Sequence, residues 1–187
     1  MNQTLTDEQL ASAVASGDKD ALRQLIEKYQ QPMERYLFRL GIKNHDSEDV
    51  LQNLMLKMYL NINSFNPKKG KFSSWLYRIA HNEAMTFAKK NGSLVLTVED
   101  EGLWDIFESD EDISGSTDKL KLKAVVTEAI SKLDDKHKSP IILHYLEGKS
   151  YQEISYILKI PTSTVGVRIS RAKLKLKNHL KKWKGDV

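Results

Sequence analysis

The chain has 187 residues, 40% of them hydrophobic and 29% charged, which fits a water-soluble protein of one medium domain or two small ones. It has no cysteine, which excludes disulfides and thiolate zinc sites. No apolar run approaches the roughly 20 residues that span a bilayer, and Met1 to Ala15, with Asp7 and Glu8, lacks the basic start and apolar centre of a signal peptide. A cytoplasmic protein is therefore expected. The net charge of +4 hints at a polyanionic partner, and its distribution says more. Ser93 to Asp118 holds no Lys or Arg but nine acids: Glu99, Asp100, Glu101, Asp105, Glu108, Asp110, Glu111, Asp112 and Asp118. That leaves 16 acidic against 29 basic residues elsewhere, a net charge of +13. Segregation of this kind marks domains around a linker, here a domain over 1–92, an acidic linker over 93–118 and a second domain over 119–187.

In chain order, Leu22, Leu25, Ile26, Tyr29, Met33, Tyr36, Leu37 and Leu40 recur at three-to-four spacing and predict a helix over Asp18 to Leu40. Pro32 should kink or break it, and Gly41 should stop it. A second helix is predicted from about Ser47 to Ile62. Asn66-Pro67-Lys68-Lys69-Gly70 is a loop by composition. A third helix, about Ser73 to Lys90, ends at Asn91-Gly92. At about 100° per residue it turns Leu76, Ile79, Ala80, Ala84 and Phe87 to one side, and Arg78, Asn82, Met85 and Lys89 to the other. The second stripe holds two cations and an amide able to read a base edge. The preceding loop adds Lys68, Lys69 and Lys71 beside Phe65 and Phe72, a mixture suited to a single strand with its bases turned outward; taken alone, Phe72 and Trp75 fit a core better.

From Ser93 to Asp118 no period persists, although Val95, Leu103, Trp104, Ile106 and Phe107 offer short apolar anchors. Helical patterning resumes over Lys119 to Leu133 and continues in Pro140 to Leu146, Tyr151 to Leu158 and Thr162 to Leu180, separated by Gly148 and Pro161. Strand signals are scarce. The fold class expected is all-α, two small helical domains on a flexible acidic linker.

The last two helices carry the most specific pattern. Ser150-Tyr151-Gln152-Glu153 is a capping box, and Pro161 suits the first turn of a new helix because no N–H is needed there. In that helix Val165, Ile169, Ala172 and Leu176 form a buried seam, while Ser163, Val167, Ser170, Arg171 and Leu174 point away. Short helix, tight turn and longer basic helix is the layout of a helix-turn-helix. From Val165 to Lys184 there are eight Lys or Arg and no acid, which favours phosphate.

Two motif sets then resemble a known family. Asp46-Ser47-Glu48-Asp49-Val50-Leu51-Gln52 followed by Phe72-Ser73-Ser74-Trp75-Leu76-Tyr77-Arg78-Ile79-Ala80-His81-Asn82 resembles region 2 of the extracytoplasmic-function (ECF) sigma factors of bacterial RNA polymerase. Ser150-Tyr151-Gln152-Glu153-Ile154-Ser155, Pro161-Thr162-Ser163-Thr164-Val165 and Arg168-Ile169-Ser170-Arg171-Ala172 resemble their region 4. The resemblance implies a sigma factor that binds core polymerase, reads the −10 and −35 promoter elements and assists melting. It implies core binding by Asp46, Glu48, Asp49, Gln52, Asn53 and Leu56, with Asn53 where the family often has an acid. It implies −10 contacts by Phe65, Lys71, Phe72, Ser73, Ser74, Trp75, Arg78, Asn82 and Lys89. The −35 contacts fall to Ser163, Thr164, Val167, Arg168, Ser170, Arg171, Lys173 and Lys175. Implied partners are the polymerase core, through the β′ clamp helices and the β subunit, promoter DNA, and an anti-sigma factor able to hold the protein at the membrane.

Gly166 and Val167 depart from the family pattern of a basic residue followed by a small polar one. Gly166 offers no base contact and weakens its helix by about 1 kcal/mol; Val167 reaches only a thymine methyl. Selection is thus expected to lean on the −10 element, and an additional DNA-bound recruiting protein enters as a partner. The alternative reading is a helix-turn-helix regulator that never docks on polymerase. No enzyme is expected: His45, His81, His137, His144 and His179 lack metal spacing, and there is no phosphate-binding glycine loop, nucleophile elbow or carboxylate pair. No cofactor, metal, catalytic residue or small-molecule substrate is anticipated. His137 and His144, seven apart, fit solvated or core positions best.

Overall fold

A computed structural model describes residues 5–42, 44–91, 126 and 128–185, and the side chains of these except 44, 45 and 181–185. Among the described residues all regular structure is helical, and the chain divides into two compact units, one drawn mainly from the N-terminal half and one mainly from the C-terminal half. The acidic stretch 93–118 and most of the helix expected over Lys119 to Leu133 lie outside the described residues; the end of that helix is seen at 128–131.

The N-terminal unit begins with a helix absent from the sequence expectation, α1 (Asp7–Ala15). Its cause is local: the Thr6 hydroxyl accepts from the Gln9 N–H at 3.3 Å, and the Gln9 amide oxygen accepts from the Thr6 N–H at 2.8 Å, a reciprocal cap that satisfies two orphan donors. Leu10, Ala11 and Val14 then face the core. Next, α2 (Lys19–Leu40) runs through Pro32 without the expected break. Pro32 deprives only the Lys28 carbonyl of its helical donor, and Lys28 is exposed, so water can replace the lost bond. Leu25, Met33, Tyr36, Leu37 and Leu40 of α2 are buried. The helix stops where expected: Gly41 is left-handed, φ 101°, and the Ile42 N–H donates back to the Leu37 carbonyl at 3.1 Å. α3 (Asn44–Leu60) starts earlier than Ser47, and a 3-10 turn (Ile62–Ser64) leads through the loop to α4 (Phe72–Asn91).

In the C-terminal unit α5 (Asp135–Ile141) starts five residues before the expected Pro140, because the Asp134 carboxylate accepts from the His137 N–H and caps it. Pro140 removes a helical donor, and the chain then widens into a π-turn (Ile142–Leu146), with the Glu147 N–H reaching back five residues to the Ile142 carbonyl at 3.1 Å. α6 (Tyr151–Leu158) and α7 (Thr162–Gly185) follow. Their core is Ile141, Ile142, Leu143, Ile154, Val165, Ile169, Ala172 and Leu176, with α5 packed on α7.

Candidate nucleic-acid and polymerase interfaces

α3 is two-sided. Val50, Leu51, Leu54 and Met58 are buried, whereas Glu48, Asp49, Gln52, Asn53 and Leu56 form an exposed row, with Asp46 half-buried at its start. The row does not stop at Leu56. Tyr59 (49% exposed) and Leu60 (65%) join Leu56 (54%) in an uncovered apolar turn that the sequence reading left out. Their i, i+3, i+4 spacing was the available signal, hidden because apolar periodicity is ordinarily read as core.

The loop before α4 is held rigidly. The Asn66 side chain accepts from the Lys68 N–H at 2.9 Å, and its carbonyl from the Lys69 N–H at 3.0 Å. The half-buried Phe65 ring meets Phe72 at 5.4 Å edge-on and Trp75 at 5.7 Å. Lys68, Lys69 and Lys71 stay exposed. From α1, Glu8 accepts the Phe72 N–H at 3.1 Å, placing a carboxylate at the positive end of α4. Asp7 accepts the Tyr29 hydroxyl at 2.7 Å and pairs with Lys28 at 2.5 Å. Burial, and then that hydrogen bond to Asp7, push the Tyr29 phenol well above its ordinary range. The missed helix therefore braces the loop, and an open cleft between them is lined by Thr6, Glu8, Lys28, Pro67, Lys71 and Ser73.

The −10 set separates by burial. Phe72, Ser74 and Trp75 are core residues, as is Tyr77, and none of their side chains is presented at the surface. Phe65, Ser73 and Arg78 are half-buried; Lys71, Asn82 and Lys89 are exposed. The predicted stripe on α4 is present, with Met85 half-buried between Asn82 and Lys89, opposite the buried Leu76, Ala80 and Ala84.

The C-terminal pair has the predicted form. Ser150 and Glu153 exchange the capping-box hydrogen bonds. Lys159 takes the left-handed conformation, φ 54°, and the Ser155 hydroxyl donates to the Ile160 carbonyl at 2.6 Å to fix the turn. On α7, Val165, Ile169, Ala172 and Leu176 are fully buried, while Ser163, Val167, Ser170, Arg171 and Leu174 are exposed. Thr164 and Arg168 are half-buried beside that row. Lys173 is half-buried, its ammonium 5.8 Å from the Tyr145 ring. Lys175 is tied to the start of α5, 3.6 Å from Asp134 and 3.3 Å from His137 Nδ1. Desolvation pulls the Asp134 carboxyl up, but the His137 hydrogen bond and charge, with Lys175 and Lys136, outweigh it and hold it below its usual range. Of the two histidines seven apart, His137 is buried against Asp134, and His144 is half-buried with Nδ1 2.9 Å from the Lys149 carbonyl. Among the described residues no group of three or more His, Asp or Glu is placed to hold a metal ion, and no helix is long and apolar enough to cross a membrane.

A chain whose described residues are helical and fall in two units, the second ending in a helix-turn-helix with an outward cationic face, belongs to the class of DNA-binding transcription proteins. Comparison with known proteins gives the family. The profile of Sigma-70 region 2 matches residues 25–93, and that of Sigma-70, region 4 matches 123–176. The ECF RNA polymerase sigma-E factor of Haemophilus influenzae is 33% identical over 187 residues, covering 96% of this chain and 98% of that protein. The ECF RNA polymerase sigma factor SigW of Bacillus subtilis is 31% identical over 175 residues, covering 90% and 93%. Among solved structures, CnrH in complex with the cytosolic domain of CnrY superposes with a TM-score of 0.68 at 25% identity, covering 94% of this chain and 97% of that one. The chain belongs to the ECF subfamily of sigma-70 factors. It directs transcription through core RNA polymerase, and it is a recognition subunit rather than an enzyme.

Proposed function

We propose that three surfaces, two on the domain 1–92 and one on the domain 119–187, divide the work of initiation, with the acidic linker 93–118 between the domains. The exposed row of α3, from Asp46 through Asn53 to Leu56 and extended by Tyr59 and Leu60, docks on the clamp helices of β′. Lys71, Arg78, Asn82 and Lys89, with Phe65 and Ser73 on the braced loop, read and open the −10 element; the buried Phe72, Ser74 and Trp75 hold that loop in place. The exposed face of α7 reads the −35 element. Ser163, Thr164, Val167 and Ser170 face bases, and Arg168, Arg171 and Lys173 face phosphates, which fix position without reading sequence. Lys175 contributes charge from the edge of the interface. The observation that carries this reading is the division of α7 into a fully buried seam and an opposite exposed row, as a helix lying in a groove requires.

The acidic stretch 93–118 is proposed to thread a basic polymerase channel that later carries RNA, since nine acids and no cation resemble a nucleic-acid backbone in charge. An anti-sigma factor is proposed as a regulatory partner. It finds support in the similarity to CnrH, solved with the cytosolic domain of CnrY. A cytoplasmic location, with tethering at the membrane by that partner, and contact with the β subunit belong to the same proposal. A DNA-bound recruiter is subordinate to it and is needed only if −35 selection proves flat.

The test compares promoter opening with core binding. With purified holoenzyme, permanganate footprinting of the bubble is run beside a core-binding assay for Asn82→Ala and Lys71→Ala. Opening should fall while core binding holds. Equal loss in both assays would mean that these residues only support the fold.

A further inference from the structure

Gly166 sits in α7 between the exposed Val167 and the buried Val165. The space a side chain would occupy there is not empty. A Cβ built on Gly166 meets the Tyr151 ring, 3.5 Å from Cε2 and 4.0 Å from Cδ2. The ring turns its Cδ2–Cε2 edge toward Gly166, with the ε carbon the nearer of the two. Tyr151 is the first residue of α6 and is 37% exposed. His144 meets its ring at 5.0 Å, nearly perpendicular, and His144 is itself anchored on the Lys149 carbonyl. Among the described residues the Tyr151 hydroxyl has no hydrogen-bond partner. A singly exposed aromatic is ordinary, but this ring rests on His144, faces the bare backbone of Gly166, has a spare donor and acceptor, and stands beside the exposed row of the recognition helix.

We propose that Tyr151, seated over Gly166, is a base-reading residue of the helix-turn-helix, placing its hydroxyl and ring edge at the −35 major groove where the recognition helix itself has no side chain. The inference rests on the helix-turn-helix reading above and deepens it. The phenol donates to a purine N7 or thymine O4, and its ring edge packs on a thymine methyl, the apolar mark of A·T pairs in that groove. A tyrosine ring has few rotatable bonds, and the His144 contact already orders this one in part, which lowers the rotational freedom lost on binding. Gly166 is then a seat for the reader: glycine leaves room for the ring, and a long side chain at 166 competes for the same space.

The experiment uses holoenzyme reconstituted with the full chain, a promoter library randomised across the −35 region, and sequencing of the transcripts. Wild-type protein should show a base preference at one or two positions. Tyr151→Phe keeps the ring and its packing but should lower discrimination at one position about fivefold, the worth of one hydrogen bond. Tyr151→Ala should flatten that position, and Gly166→Arg should change the preferred base. Core binding and −10 dependence should stay as in wild type. A flat wild-type profile overturns the proposal. So does an unchanged base preference in both Tyr151 variants, whether binding falls uniformly, as for a phosphate contact, or not at all. Arg168→Ala and Arg171→Ala separate the two layers. If they weaken −35 DNA binding and its salt dependence while the Tyr151 variants keep wild-type selection, only the tyrosine proposal fails. If they change nothing, the helix-turn-helix reading fails and takes the tyrosine with it. Tyr151→Phe keeps the test decisive should the alanine variant unfold.

Discussion

Gly166→Ala should stabilise the C-terminal unit. The glycine lies inside α7 without a left-handed φ, and the added methyl carbon would sit 3.5 Å from the nearest Tyr151 ring atom, an ordinary van der Waals contact. Alanine is favoured over glycine in a helix interior by about 1 kcal/mol, part of it from the reduced entropy of the unfolded chain. Nothing in the local geometry opposes that gain. Gly148 gives the opposing control: φ is +61° with open space around the α-carbon, so alanine there meets no clash but incurs left-handed strain of about 1–2 kcal/mol. Two units can melt independently, so a single unfolding curve would mix them. Hydrogen exchange of α7 peptides localises the effect instead. Under conditions where those amides exchange through opening of the unit, 1 kcal/mol appears as about a fivefold change in rate. Exchange should slow by about that factor in Gly166→Ala and quicken in Gly148→Ala. Faster exchange in Gly166→Ala would refute this reasoning, since it would require the ring to lie closer than the 3.5 Å that makes the new contact an ordinary one.

Ser150→Ala removes the acceptor for the Glu153 N–H and the hydroxyl that donates to Glu153 at 2.8 Å; it should cost about 1 kcal/mol, read as faster exchange in α6. Asp134→Asn keeps a capping oxygen but loses the charge beside His137 and Lys175. The folded carboxyl is held below its ordinary value of 3.8, so its stabilisation is present above that pH and lost as the pH falls through the folded value. Thermal scans should therefore show a small deficit for Asp134→Asn at pH 7 that vanishes in acid; a deficit persisting at pH 2 would assign the effect to capping geometry. Leu56→Ser with Leu60→Ser should leave melting nearly unchanged, within about 0.5 kcal/mol per exposed site, yet lower core-polymerase affinity at least about tenfold, as loss of a central apolar contact does. Competition binding against the wild-type protein measures it.

The sequence made α2, α4, α6 and α7 legible because each joins a long apolar stripe to a clear terminator or cap. Gly41 and the Ser150–Glu153 box fall where local chemistry alone places them. It hid α1, whose signature is a Thr6–Gln9 box over only three buried apolar residues, and the start of α5, where Pro140 outweighed the capping Asp134. Among site residues, an exposed row and a buried seam on one helix follow from periodicity, so the α7 face was readable. Burial of Ser74 and Tyr77, and the seating of Tyr151 on Gly166, are decided by neighbouring elements, which no single-helix wheel contains. For the same reason Lys175, one more cation on a basic helix in sequence, is drawn to Asp134 in the fold. Leu56, Tyr59 and Leu60 show the converse: a pattern that periodicity assigns to a core is left uncovered, on the face proposed to dock on polymerase.

The central claim, that this chain confers promoter choice on polymerase, is tested most directly by transcription from purified components. Core polymerase, with and without the full-length protein, is given a library of genomic fragments, and transcript starts are mapped. The account predicts that the protein converts scattered initiation into discrete starts, each with common sequence elements centred near −10 and −35. Starts unchanged by its addition, with the protein bound to DNA fragments and absent from the core complex, would contradict it and favour a helix-turn-helix regulator that acts without docking on polymerase.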